Sequence, residues 1–200
     1  MRLDYKGKYL FAFSDTHGMH RELSIPKGTD ILICAFGDVV SDFQENGFND
    51  FFDWFSSCPA QLRLFVPGNH EIIFDLCPEE ARRLIPANVT LLEDCGIECD
   101  GITFHAISSR MIQQMQWLGG ECGLPYGTDF LITHIPPKGI LDEGMGSKIL
   151  QQIILERQPK HHLFGHVHSK GGQREEKWST KFGNVSTFQA LCKTDSQSEL

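Results

Sequence analysis

The sequence predicts an α/β fold with a partly parallel sheet, and three observations lead to it. Five short apolar runs each stop at the same kind of residue. Residues 9–13 stop before Asp15 and His17, 31–36 at Asp38, 64–66 before Asn69 and His70, 130–133 at His134, and 163–164 before His166 and His168. Segments of helical period lie between these runs, and strands alternating with helices build a parallel arrangement. In such sheets ligands gather outside the carboxyl ends of the strands, which is where these polar residues fall.

The elements follow in chain order. Residues 9–13 are short, aromatic-rich and without helical period, the mark of a buried strand. The turn Pro26-Lys27-Gly28-Thr29-Asp30 launches the second strand, and a near copy, Pro125-Tyr126-Gly127-Thr128-Asp129, launches 130–133, a repeat consistent with internal duplication. Phe48, Phe51, Phe52 and Phe55 recur at i, i+3, i+4 and i+7, the stripe of a helix packed on a sheet, and Cys58-Pro59 ends it. Pro78 with Glu79 and Glu80 opens a short helix, Arg82 and Arg83 suit its C-terminal end, and Pro86 stops it. Strands are expected at 89–92, 97–99 and 102–107, then a mixture of helix and loop over 108–123. Ser147 caps a helix whose face is Ile149, Leu150, Ile153 and Ile154. Further strands are expected at 161–164, 173–178 and 184–189, followed by a loose tail over 194–200.

Two hundred residues fit one domain, with a core over about 9–190. The formal charge of −8 argues against an extended nucleic-acid-binding face, which needs clustered Lys and Arg. It leaves room for a phosphorylated substrate, because bound divalent cations invert the local field. Seven cysteines with scattered spacing suit a reducing cytosol better than a disulfide framework. Cys95 and Cys99 have no matching second pair for a zinc site. No stretch approaches the roughly 20 apolar residues of a membrane span, and the first residues lack an apolar signal region. The expectation is a soluble cytoplasmic protein without membrane association.

The candidate ligands are Asp15, His17, Asp38, Asn69, His134, His166 and His168. Carboxylate and imidazole suit borderline divalent ions such as Mn, Fe or Zn. Seven ligands exceed what one catalytic metal takes from protein. With one carboxylate bridging, they fit two metals about 3.5–4 Å apart, clamping an in-line displacement at phosphorus. A hydroxide formed on the metals then attacks, and a nearby imidazole protonates the leaving oxygen. Taken singly, each residue has a plainer role: an Asp after a strand is a turn or cap residue, and Asn after Gly tolerates a left-handed turn. The case for a site rests on the set.

As DTH, GD, GNHE, TH and GHVH, these residues resemble the calcineurin-like metallophosphoesterases, closest to the small metallophosphoesterase-domain phosphodiesterases of that superfamily. The Thr133-His134-Ile135-Pro136-Pro137-Lys138-Gly139 segment carries the resemblance further, and it covers roughly 9–190. It implies a β-sandwich of two mixed sheets flanked by helices. It implies that Asp15, His17 and His168 hold one metal, that Asp38 bridges, and that Asn69, His134 and His166 hold the second. His70 would contact the substrate phosphate and act as general acid, with Glu71 in a supporting role. The implied cofactors are two divalent ions, Mn foremost, with Fe, Zn, Ni or Mg as alternatives. The implied partner is a small phosphoester, hydrolysed as a diester. A phosphomonoesterase or a nuclease of the same fold is the alternative, and a catalytically silent binding scaffold the third reading.

Three features depart from the family pattern. Val39-Val40-Ser41-Asp42 after the GD motif lacks the Asp-Arg of the Ser/Thr protein phosphatases. Residues 105–110 lack the Gly-Ser-Pro-Trp of the closest subgroup, and 110–125 is shortened. His20, His105 and Arg110 are candidate neighbours of the site, Arg110 as a bidentate phosphate contact. His161 and His162 are assigned no role.

Overall fold

Two sheets face one another with helices on both outer sides. The structure, a computed structural model, describes residues 1–35, 39, 45–68 and 71–195. The first sheet holds β1 (Arg2–Tyr5), β2 (Lys8–Phe13), β3 (Ile31–Cys34), β4 (Leu62–Phe65) and β5 (Thr90–Leu91) in that order. The second holds β6 (Gly96–Cys99), β7 (Ile102–Ile107), β8 (Phe130–Thr133), β9 (His161–Phe164), β10 (Arg174–Lys177) and β11 (Thr180–Asn184), ordered β10-β11-β9-β8-β7-β6. The hairpins β1–β2, β6–β7 and β10–β11 pair antiparallel, and the central pairs are parallel. The mixed β-sandwich expected from the family resemblance is therefore present.

Alternation along each strand sorts residues into layers. Ile31 and Ile33 of β3 point between the sheets and meet residues such as Phe104, Phe130, Ile132 and Leu163. Leu32 and Cys34 point outward into a second cluster with Phe48, Phe51, Phe52 and Phe55 of α1 (Glu45–Ser57). On the other side Ile107, Leu131 and Phe164 pack against Ile112 and Met115 of α4 (Ser109–Leu118) and Leu150 and Ile154 of α5 (Lys148–Arg157). Burial on both faces is why these strands read as continuous apolar runs rather than alternating ones. The short α2 (Ile73–Leu76) and α3 (Pro78–Arg83) follow β4. Among the described residues no helix is long and apolar enough to cross a membrane.

The repeated pentapeptide is a repeated structure. Thr29 Oγ1 donates to the Pro26 carbonyl at 2.7 Å, and Thr128 Oγ1 to that of Pro125 at 2.9 Å. Gly28 and Gly127 take φ of 79° and 69°, open to glycine without steric penalty. The Asp30 carboxylate then accepts the amide of Tyr9 on β2, and Asp129 that of Thr103 on β7. Each copy joins an antiparallel hairpin to the parallel strand beside it.

Helix caps explain two further segments. Ser147 Oγ accepts the Leu150 amide at 3.2 Å, as the sequence predicts for α5. Ser147→Ala should lower stability by about 1 kcal/mol and the melting temperature by about 2–4 °C, checked by calorimetry. Ser108 caps α4 by accepting the Met111 amide at 3.0 Å, and Asp94 anchors Ser108 through its amide and hydroxyl. The glutamines that blur the pattern at 113–116 lie on the exposed face.

The last segment differs from expectation. Trp178 and Ser179, at φ of 52° and 65°, form a left-handed two-residue turn between β10 and β11 without a Gly or Asn to announce it. The final strand therefore begins at Thr180 and ends at Asn184, not 184–189. Phe188–Asp195 forms α6, so the start of the expected loose tail, Thr194 and Asp195, is helical. The rest of that tail, 196–200, lies outside the described residues.

Candidate metal centre

The chain leaves β2 and immediately enters left-handed backbone: Asp15 has φ 53°, His17 45° and Gly18 83°. Such conformations are rare for residues with a Cβ and mark places where the surroundings dictate the geometry. Here the turn is tied down on two sides. The Gly18 amide donates to the Val39 carbonyl at 2.8 Å. Ser14 pairs with the end of the second sheet: its amide donates to the Val185 carbonyl, and its carbonyl accepts both the amide (3.0 Å) and the hydroxyl (2.8 Å) of Thr187.

This clasp brings the ends of β2 and β9 together. Asp15 is fully buried, accepts the Ser14 hydroxyl, and accepts the His166 amide at 3.2 Å. Its other near neighbour is His168, with Nε2 3.3 Å away. Burial pushes the Asp15 carboxyl upward. The His168 hydrogen bond, the nearby His134 and the Ser14 hydroxyl outweigh it, so the group stays ionised below the usual range. A Cβ on Gly165 would overlap the Asp15 carboxylate and the Ser14 hydroxyl, which explains the glycine that opens GHVH.

Five of the seven candidate ligands lie in the described residues, and the structure brings them together in two groups. Asp15, His17 and His168 offer ligand atoms within 4.8 Å of one another, with His17 Nε2 3.3 Å from His168 Nε2. His134, the first residue after β8, is fully buried and sets its Nε2 3.0 Å from His166 Nδ1. The His166 amide on Asp15 links the groups. Asp38, Asn69 and His70 lie outside the described residues.

The donor set fits a divalent ion. Two nitrogens bound side by side to one ion at about 2.1 Å stand roughly 3.0–3.4 Å apart, and both imidazole pairs fall in that range. Carboxylate oxygen with imidazole nitrogen is the chemistry of borderline divalent metals.

Several supporting residues carry no local signal in the sequence. Asn184, fully buried at the end of β11, donates to the Val167 carbonyl at 2.9 Å and accepts the Ser186 amide at 3.0 Å. It thereby holds the loop in which His166 adopts φ 66°. Phe188 opens α6 with its ring 4.9 Å from that of His17 and 4.8 Å from that of His168. Glu71, by contrast, is the GNHE residue for which the resemblance implies a supporting role; it is 1% exposed and accepts the Val39 amide at 3.0 Å and the Gly68 amide at 2.6 Å. One carboxylate thus ties together the residues that follow Asp38 and precede Asn69.

The other candidates have contacts of their own. His20 is buried against Phe51 and bonds Asp50 at 2.9 Å. His105 is buried on β7, and burial lowers its basicity. Arg110 faces Glu93 at 3.5 Å and Asp75 at 3.6 Å, beside a small cavity that Gly68 and Glu71 also line. Among the described residues no two cysteines form a disulfide.

Comparison with known proteins adds to this geometry. The calcineurin-like phosphoesterase family model matches residues 10–170. A UPF0046 protein of Caenorhabditis elegans is 33% identical over 184 residues, covering 80% of this chain and 63% of that protein. Human metallophosphoesterase domain-containing protein 1 is 28% identical over 197 residues, covering 80% of this chain and 60% of that protein. The chain spans less than two thirds of the length of either relative. Among solved structures, TT1561 of Thermus thermophilus superposes with a TM-score of 0.62 at 16% identity, covering 89% of this chain and 90% of that one. The phosphopantetheinyl hydrolase of Mycobacterium tuberculosis gives 0.64 at 14% identity, covering 92% and 91%. At such identities the two structures speak for a shared fold.

Proposed function

The chain belongs to the calcineurin-like phosphoesterase family, and we propose that it is a single-domain, metal-dependent hydrolase of a small phosphodiester. The observation that carries this reading is the convergence of Asp15, His17 and His168 with His134 and His166 where the two sheets meet. Asp15, His17 and His168 would hold one ion, and Asn69, His134 and His166 would hold a second, with Asp38 as the ligand common to both sets. Divalent ions bound there supply positive charge against the phosphoryl oxygens and a nucleophilic oxygen at neutral pH.

The protein's own residues do the rest. Asp15 brings a fixed negative charge that the Ser14 hydroxyl and the His166 amide hold in one orientation. Ligating imidazoles must be neutral, so metal uptake falls in acid. His70 is assigned the proton delivered to the leaving oxygen. The chain's acidic balance favours a small substrate over a polynucleotide.

Metal content and hydrolysis of bis-(p-nitrophenyl) phosphate, measured before and after chelation, test the reading. The expected result is about two ions per chain, activity lost on chelation and restored by Mn²⁺, and a diester turned over faster than p-nitrophenyl phosphate. Faster turnover of the monoester would overturn the diester assignment, and a chain that takes up no metal would overturn the whole.

A further inference from the structure

His162 is a buried polar group without a packing reason to be there. It lies in the middle of β9, fully inaccessible, in register with Leu131 on one side and Phe182 on the other. Phe164 and Phe182 press on its ring at 5.1 and 5.8 Å. Its Nε2 is 2.7 Å from Thr133 Oγ1, and the same hydroxyl is 2.7 Å from the Ile135 carbonyl. A carbonyl cannot donate, so the threonine proton goes to Ile135 and the imidazole proton sits on Nε2, donated to Thr133. That leaves Nδ1 as a buried acceptor with no partner among the described residues. Burial keeps the ring neutral, its pKa pushed down to about 3. A leucine would fill the same apolar space and remove the unsatisfied atom, so the histidine works against stability. A local rule broken without a packing gain marks a functional constraint.

The gain lies one residue away. Thr133 and Ile135 flank His134, and the threonine hydroxyl draws the Ile135 carbonyl back across the turn, fixing how the chain departs from β8. His134 then presents Nε2 to His166 Nδ1 at 3.0 Å. We propose that the relay from His162 through Thr133 to the Ile135 carbonyl is a positioning device that sets the His134 imidazole for metal binding. It rests on the reading of His134 as a ligand. Partners that orient a ligating imidazole are worth about 10–100-fold in metal affinity.

The test is Mn²⁺ titration of the metal-free protein, paired with thermal unfolding in a chelator. His162→Leu and Thr133→Val should weaken Mn²⁺ binding by about tenfold or more. His162→Leu should melt in chelator at or above the wild-type temperature. His162→Gln, which can still donate to Thr133, and Thr133→Ser, which keeps the hydroxyl, should bind close to wild type. A purely structural histidine would give the reverse, with melting lowered and affinity kept, and that result overturns the proposal. Loss of affinity in Thr133→Ser equal to that in Thr133→Val would overturn it too. Should His162→Leu fail to fold, the threonine pair decides. Wild-type protein that takes up no Mn²⁺ would remove His134 as a ligand and the relay with it, an outcome distinct from intact binding in the variants.

Discussion

Asp15→Asn should lower Mn²⁺ affinity at the centre by at least about 100-fold, the upper end of what even indirect partners of a ligand are worth, and hydrolysis should fall in step. The substitution is informative because Asn occupies the same volume and tolerates the left-handed φ of 53° that Asp15 adopts. The backbone turn and the clasp between Ser14 and Thr187 therefore stay in place. What changes is the charge, together with the acceptor for the Ser14 hydroxyl, the His166 amide and His168. An amide there can keep its oxygen on the His166 amide and turn its NH₂ to the Ser14 hydroxyl, which rotates to accept. Mn²⁺ titration and a melt in chelator separate the effects: affinity should collapse while the metal-free melting temperature stays nearly fixed. Wild-type affinity in Asp15→Asn would remove Asp15 from the metal.

The second large effect lies at the other end of the sandwich. Asp129 is nearly inaccessible and takes hydrogen bonds from Tyr5 (2.6 Å), Lys6 (2.9 Å), Lys160 (2.8 Å) and the Thr103 amide (3.0 Å). Asp129→Ala removes the acceptor and strands those donors, which should cost about 3–5 kcal/mol. For a chain of this length that corresponds to about 6–20 °C in melting temperature. A pH dependence comes with it. Burial pushes the Asp129 carboxyl up, but bonds from Lys160, Tyr5, Thr103 and Lys6 outweigh burial and hold it far below the usual range. A depressed carboxyl contributes stability that is fully present above its unfolded pKa of about 3.9 and is lost as pH falls below that value. Urea midpoints of wild type and Asp129→Ala should therefore differ most at neutral pH, and the gap should narrow steadily as pH falls below about 3.9. A gap that stays constant with pH would mean the carboxylate is not what the neighbours hold.

The strand ends that carry the candidate ligands were legible in the sequence because each pairs a signal of packing with a signal of chemistry, as in Phe130–Thr133 followed by His134. The turn copies and the α1 phenylalanine stripe were legible for the same reason: local periodicity reports which face is buried. What escaped depends on residues far apart in the chain. The strand β1 is four alternating residues whose support comes from β2 and from Asp129, more than a hundred positions away. Asn184, Thr187 and Phe188 act on Ser14, His17 and the GHVH loop, partners that no window of sequence shows together. The misplaced last strand came from Trp178 and Ser179, which take a left-handed turn usually announced by Gly or Asn. Of the adjacent histidines on β9, His162 points into the core and His161 stacks on Phe130 at 4.6 Å, so neither stands free of packing.

The sandwich is fastened twice. Ser14 joins Val185 and Thr187 where the candidate ligands converge, and Tyr5, in register with the first residue of β2, reaches Asp129 just ahead of β8 at the far end. Two sheets pinned at both ends cannot easily slide past one another, so the carboxylate from one and the imidazoles from the other keep a set separation. Stiffness of that kind discriminates by ionic radius. The donor spacings of 3.3 and 3.0 Å within the candidate pairs match ions that bind at about 2.0–2.2 Å better than Ca²⁺, which wants oxygens at about 2.3–2.6 Å and a pliant shell.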